Sequence, residues 1–178
     1  MQVLKFGGTS VASPENIDKI KNIIDVYTDK IIIVVSAFGG VTDELINAGT
    51  LAKNQDDSYK SILKQIENRH LEAIKILLPV TDQSKVLSNV KKELNVLETL
   101  LDGAFSIGEI TIKLSDKIVS YGDLLSSYII SEYFESQGID CRYKDSRELI
   151  VTGITNGRTT VNLEKTNRNC IDYFHTSN

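Results

Sequence analysis

Near the N-terminus one string, Lys5-Phe6-Gly7-Gly8-Thr9-Ser10, sets a lysine beside two glycines and two hydroxyl residues. The lysine can neutralise an anion, the glycines let backbone amides come close to it, and the hydroxyls add donors. A second string, Ser36-Ala37-Phe38-Gly39-Gly40-Val41-Thr42-Asp43, again offers small residues, two glycines and two hydroxyls. A third, Ser120-Tyr121-Gly122-Asp123-Leu124-Leu125-Ser126, sets the carboxylate of Asp123 beside a glycine. Each also has a plain structural reading: a glycine turn with a solvated lysine, a loop in which Thr42 caps the next helix, and an acid on a solvated helix face. The residues alone give an anion site and a carboxylate candidate.

The elements that position these strings can be read in order. Val3-Leu4 is a short apolar run, and Ser13-Pro14-Glu15 is a helix start with serine as N-cap and proline at the first helical position. Ile17, Ile20, Ile23, Ile24 and Tyr27 then share a helical face. The run Ile31–Val35 is β-branched without alternation, as a parallel strand covered on both faces requires. A right-handed β-α-β crossover brings the carboxyl ends of the two strands to one edge, where open α/β sheets bind ligands. The first two strings therefore converge.

Residues 54–58 are polar, and two amphipathic segments follow, 59–78 and about 83–101. Ile62, Ile66, Leu71, Ile74 and Leu78 form one stripe; Val86, Val90, Leu94, Leu97 and Leu101 form the other. With Pro79 and Asp82 marking the turn and Asp102-Gly103 the end, the pattern predicts a helical hairpin inserted at about 55–103, covering the site or docking against another subunit. A further helix is expected from near Ser115-Asp116 to a C-cap at Gly138. Gly122 inside it costs about 1 kcal/mol relative to alanine, which marks a close approach. Beyond it we expect a third strand over 139–143, a helical turn over 145–148, a hairpin turn at Asn156-Gly157 and a last helix capped by Asn162 and running to about Phe174.

Among 178 residues, 41% are hydrophobic and 25% charged, the composition of one folded domain. With 20 basic against 24 acidic residues and a net charge of -4, no basic surface for nucleic acid is indicated, and a small metabolite is the expected ligand. Cys141, Cys170, His70 and His175 lack disulfide or zinc spacing. No membrane partner is expected, because the longest aliphatic run is far too short to cross a bilayer, and a cytoplasmic location is expected. P-loop, dinucleotide-fold and protein-kinase signatures do not occur.

All three strings, in this order, resemble the aspartokinase family of the amino-acid-kinase superfamily: Lys5 to Ser10, the loop from Val35 to Asp43, and the helix from Ser120 to Ser126. The resemblance runs over essentially the whole chain. It implies an α/β three-layer αβα sandwich with a mainly parallel sheet, here incomplete and carrying the inserted hairpin. It also implies transfer of the γ-phosphoryl group of ATP, with Mg²⁺ bound through ATP, to the side-chain carboxylate of L-aspartate, the first step toward lysine, threonine and methionine. Such a transfer needs positioning and charge stabilisation but no general base, because the nucleophile is already ionised. On the resemblance, Lys5 is the catalytic cation. Gly7 and Gly8 donate amides to phosphate, Thr9 and Ser10 line the same turn, Ser36 and Thr42 hold aspartate, and Asp123 pairs with the substrate ammonium.

Two departures stand out. Asp123 occupies a position where the family more usually carries glutamate, one methylene longer. The family's later Arg-Gly-Gly-Ser-Asp-type string does not occur, nor do regulatory domains or the homoserine dehydrogenase half of bifunctional members. The expectation is a fragment, the N-terminal portion of one catalytic domain, of very low activity alone and self-associating into a homo-oligomer. The alternatives are another amino-acid kinase, acting on glutamate, N-acetylglutamate or a nucleoside monophosphate, and a non-catalytic aspartate-binding or oligomerisation module.

Overall fold

A computed structural model describes residues 2–155 and 158–176, so the expected Asn156-Gly157 turn lies outside the described residues. The chain divides into two compact units, Met1–Cys141 and Arg142–Asn178.

In the first unit, β1 (Gln2–Phe6) and β2 (Ile31–Val35) pair in parallel, with Leu4 opposite Ile33 and Phe6 opposite Val35. Between them α1 (Pro14–Ile24) starts as expected: the Ser13 hydroxyl accepts the Asn16 amide at 3.4 Å, and proline opens the helix. Ile17, Ile20 and Ile24 are buried, whereas Ile23 is 47% exposed and Tyr27 lies past the helix end. The expected stripe is therefore narrower by two residues. The sheet departs from expectation more plainly. Leu4, Phe6, Ile31, Ile33 and Val35 pack on the core, but Val3 and Val34 on the other face are 63% and 44% exposed. Among the described residues β2 packs on the core by one face, while on the other Ile32 is half-buried and Val34 exposed.

Four helices complete this unit and pack on one another: α2 (Val41–Lys53), α3 (Tyr59–Leu77), α4 (Val80–Ile107) and α5 (Ile112–Ser136). α3 and α4 run antiparallel, since the Tyr59 hydroxyl at the start of α3 bonds Asp102 near the end of α4, while Gln83 bonds the Leu78 carbonyl at the turn. Asp82 belongs to the first turn of α4 rather than to the connection, and Pro79 is the N-cap residue. The α4 stripe is as read, with Val86, Val90, Leu94, Leu97 and Leu101 buried. On α3 it is turned toward Leu63, Ile66, His70, Ala73, Ile74 and Leu77, leaving Ile62 and Leu71 half-buried. α4 also outruns its expected end. Gly103 stays helical because buried Leu101 and Ala104 flank it, and the left-handed glycine that stops the helix is Gly108, at φ 73°. α5 begins earlier than Ser115, because Thr111 caps it by accepting the Leu114 amide at 3.2 Å. It stops as expected, with Gly138 in the left-handed region.

No strand forms over 139–143. β1 and β2 pair only with each other among the described residues, so the segment has no ladder to join; Ile139 and Cys141 pack on the core as irregular chain instead.

The second unit holds a 3₁₀ turn (Ser146–Glu148), the antiparallel hairpin β3 (Thr152–Thr155) and β4 (Arg158–Val161), and α6 (Leu163–Thr176). Asp145 caps the turn and accepts the Arg147 guanidinium, while Asn162 starts α6 as read, accepting the Lys165 amide at 3.0 Å.

Candidate active site

The two glycine loops meet at the carboxyl edge of the parallel pair. The Ser36 amide donates to the Phe6 carbonyl at 3.1 Å, carrying the ladder one step past β2. After β1 the chain closes a tight turn in which the Ser10 and Val11 amides donate to the Gly7 carbonyl at 2.9 and 3.3 Å. A Cβ on Gly7 would meet nothing within 4 Å, so its backbone is open to an approaching ligand. A Cβ on Gly39, by contrast, would stand 3.0 Å from the Ala12 Cβ and 3.3 Å from the Gly8 carbonyl oxygen. Glycine at 39 is what lets the loops touch. Lys5 is exposed, lies opposite Val34 in the ladder, and by strand alternation stands on the face away from Leu4 and Phe6. No other described residue holds its ammonium by hydrogen bond or ion pair.

α5 fixes the second loop from below. The Asp123 carboxylate accepts the Ala37 amide at 2.7 Å, and the Ser126 hydroxyl donates to the Ser36 carbonyl at 2.8 Å. Gly122 explains the closeness: a Cβ there would lie 2.9 Å from the Ala37 Cβ and 3.3 Å from Leu45. The close approach expected at Gly122 is made by the side chains of Ala37, Leu45 and Val41. The short side chain of Asp123 reaches the loop directly, with one oxygen committed to Ala37.

Thr42 does not cap α2. Gly40 occupies that position at φ 86°, no side chain caps the helix, and exposed Thr42 is its second residue. The Val41 amide donates to the Phe38 carbonyl at 2.9 Å, and the Thr42 and Asp43 amides are left to solvent or to an anion. Thr9 and Ser10 lie in the first loop, where the Thr9 carbonyl accepts the Asn16 side chain at 3.1 Å.

α3 supplies two contacts that the sequence reading missed. Arg69 donates through Nη1 to the Gly39 carbonyl at 2.6 Å and through Nη2 to the Ala12 carbonyl at 3.0 Å, bridging both loops with one guanidinium. Next to it His70 is fully buried and stacks on Phe38 with centroids 4.8 Å apart. Its Nδ1 lies 2.7 Å from the Ile66 carbonyl, which assigns the proton to Nδ1. Burial pushes this imidazole down to about 4, opposed by the Ile66 carbonyl and helped by the Arg69 charge. A histidine in the 66-70-74 stripe was a visible signal; nothing local marked Arg69.

A cavity of about 110 Å³ beside Arg69 is lined by Val11, Ala12, Phe38, Arg69, Glu72 and Ile76 among others, and none of the predicted site residues borders it. Among the described residues no three His, Cys, Asp or Glu side chains are grouped to hold a metal, and no helix is long and apolar enough to cross a membrane. The structure thus brings together Gly7, Gly8, Ser36 and Asp123 around two touching loops, with Lys5 at the end of β1 and Thr42 at the start of α2.

Known proteins resemble this chain in sequence and in fold. The chain is 33% identical over 150 residues to the chloroplastic bifunctional aspartokinase/homoserine dehydrogenase 2 of Zea mays, covering 84% of this chain and 16% of that protein. It is 32% identical over 151 residues to the chloroplastic aspartokinase 1 of Arabidopsis thaliana, covering 83% of this chain and 26% of that one. It therefore spans about a sixth to a quarter of the relatives it matches. Among solved structures, E. coli aspartokinase III in complex with lysine and aspartate superposes with a TM-score of 0.87 at 21% identity, covering 99% of this chain and 38% of that one. The same enzyme with aspartate and ADP gives 0.86 at 22% identity. These likenesses establish the α/β amino-acid-kinase fold, of which the chain carries part. A model described as the amino acid kinase family matches residues 1–176, and the chain belongs to that family.

Proposed function

We propose that these residues form the phosphate loop and the acceptor loop of an ATP-dependent aspartate kinase whose turnover needs further chain. The observation that carries this reading is the contact of the two loops at one strand edge, Gly8 against the Ala37 carbonyl and Gly39 against the Gly8 carbonyl. A donor phosphate on the first loop then lies beside an acceptor on the second. Phosphoryl transfer asks for that juxtaposition.

In this reading Lys5 neutralises charge developing on the transferring group, while Gly7 and Gly8 present amides to the ATP phosphates and Thr9 and Ser10 line the turn. The open space over Gly7 fits a phosphate. Ser36 and Thr42 hold L-aspartate, its carboxylate facing the uncapped start of α2, and the second oxygen of Asp123 takes the substrate ammonium. One oxygen of the aspartate side chain attacks the γ-phosphorus as the bond to the β–γ bridging oxygen breaks; ADP leaves and no proton is moved. Mg²⁺ arrives on ATP. A homo-oligomer and a cytoplasmic location are parts of the same proposal.

A direct test titrates L-aspartate into the protein extended through the rest of its catalytic domain, with and without Thr42→Val. The expected outcome is about tenfold weaker aspartate binding, the loss of roughly one hydrogen bond to a charged group, with ATP binding unchanged. Equal aspartate affinity in the two proteins would remove Thr42 from the site.

A further inference from the structure

Resting on the aspartate-kinase reading, we propose that Arg69 is a positioning residue that sets the separation of the phosphate and acceptor loops, and that the α3–α4 hairpin braces the site rather than merely covering it. Arg69 is the described side chain that bonds both loops, reaching Ala12 in the first and Gly39 in the second. Its guanidinium is a rigid planar fork, so the two carbonyls are held at a fixed spacing that a lysine ammonium on a flexible stem cannot impose. His70, the next residue on α3, stacks on Phe38 and ties the same loop to the same helix turn. Neither contact touches the open backbone of Gly7 or exposed Thr42, so each loop keeps its own ligand groups when the clamp is lost. What changes is the alignment of acceptor and donor. A misplacement of about 1 Å can cost around 100-fold in rate without weakening either substrate's binding.

The test compares Arg69→Met and Arg69→Lys with the wild type in the extended protein. Val90→Ala, which thins the hairpin core without removing a hydrogen bond to either loop, serves as a control for destabilisation. The readouts are kcat and KM for aspartate and ATP, melting temperature, and amide exchange over residues 7–12 and 36–40. Arg69→Met is expected to lower kcat 10- to 100-fold with both KM values within about threefold, to speed exchange in the two loops, and to be partly rescued by lysine. Val90→Ala is expected to lower the melting temperature with kcat near wild type. An unchanged kcat in Arg69→Met, or a loss no larger than Val90→Ala produces at the same melting temperature, overturns the proposal. If the folded wild type shows no aspartate kinase turnover, the functional reading falls by itself. The exchange measurement still decides the clamp: faster loop exchange in Arg69→Met upholds it and unchanged protection overturns it.

Discussion

The Asp123 carboxylate accepts the amide proton of Ala37 at 2.7 Å, joining α5 to a loop 86 residues earlier in the chain. Ala37 is only 3% exposed, so its N–H has no easy recourse to water. The acid read from sequence as a substrate ligand is thus also a structural acceptor, and its two duties can be separated by substitution.

Asp123→Asn keeps an oxygen of the same reach for the Ala37 amide and removes the charge, whereas Asp123→Ala leaves a buried donor unpaired. The alanine variant is expected to lose about 2 kcal/mol in urea unfolding and the asparagine variant less than about 1 kcal/mol. Both should bind aspartate at least about tenfold more weakly, since neither can pair with its ammonium. Wild-type aspartate affinity in Asp123→Asn would leave the residue a purely structural role.

Two helical glycines should respond with opposite signs to alanine. At Gly122 the new methyl would stand 2.9 Å from the Ala37 Cβ, and overpacking of about 1–3 kcal/mol outweighs a helix-propensity gain of up to about 1 kcal/mol. At Gly103 nothing lies within 4 Å, so alanine should stabilise by about 1 kcal/mol. Denaturant midpoints of the two variants check the pair, and a stabilised Gly122→Ala would contradict the packing described.

His70 predicts an acid-side loss of stability. Burial holds its imidazole at about 4 against an ordinary 6.5, so the unfolded chain takes up the proton first. This stabilising contribution is intact above pH 6.5. It declines as pH falls toward 4, by roughly 3 kcal/mol in all, and changes no further below. His70→Phe keeps a ring against Phe38 and cannot titrate. Unfolding free energies of both proteins from pH 7 to 4 should show a shallower slope for the variant; identical slopes would exclude His70 as the source.

Local signals in the sequence located the β1 turn, the Ser13 cap, the α4 stripe, the Gly138 stop and the Asn162 cap, because each depends on residues within one turn of each other. Long-range packing decided the rest. Gly103 reads as a helix end until Leu101 and Ala104 are seen buried on either side of it, and 139–143 reads as a strand until its lack of a ladder partner is seen. Thr42 was displaced as a cap by Gly40, whose left-handed backbone starts α2 one residue before Val41. In the site, Gly7, Gly8, Ser36 and Asp123 were legible as types in strings. Arg69 was not, since its partners lie 57 and 30 residues away and an arginine on an amphipathic helix looks like any solvated charge.

Aspartate kinase activity is decided by trapping aspartyl phosphate with hydroxylamine in the extended protein supplied with ATP, Mg²⁺ and either L-aspartate or L-glutamate, beside its Lys5→Ala variant. The expected result is ATP-dependent hydroxamate from aspartate and not from glutamate, reduced about 100-fold or more in Lys5→Ala, the scale seen when one charge-stabilising donor is removed. A folded extended protein that forms no aspartyl hydroxamate would overturn the aspartate-kinase reading, and one that forms it equally well without Lys5 would remove Lys5 from catalysis.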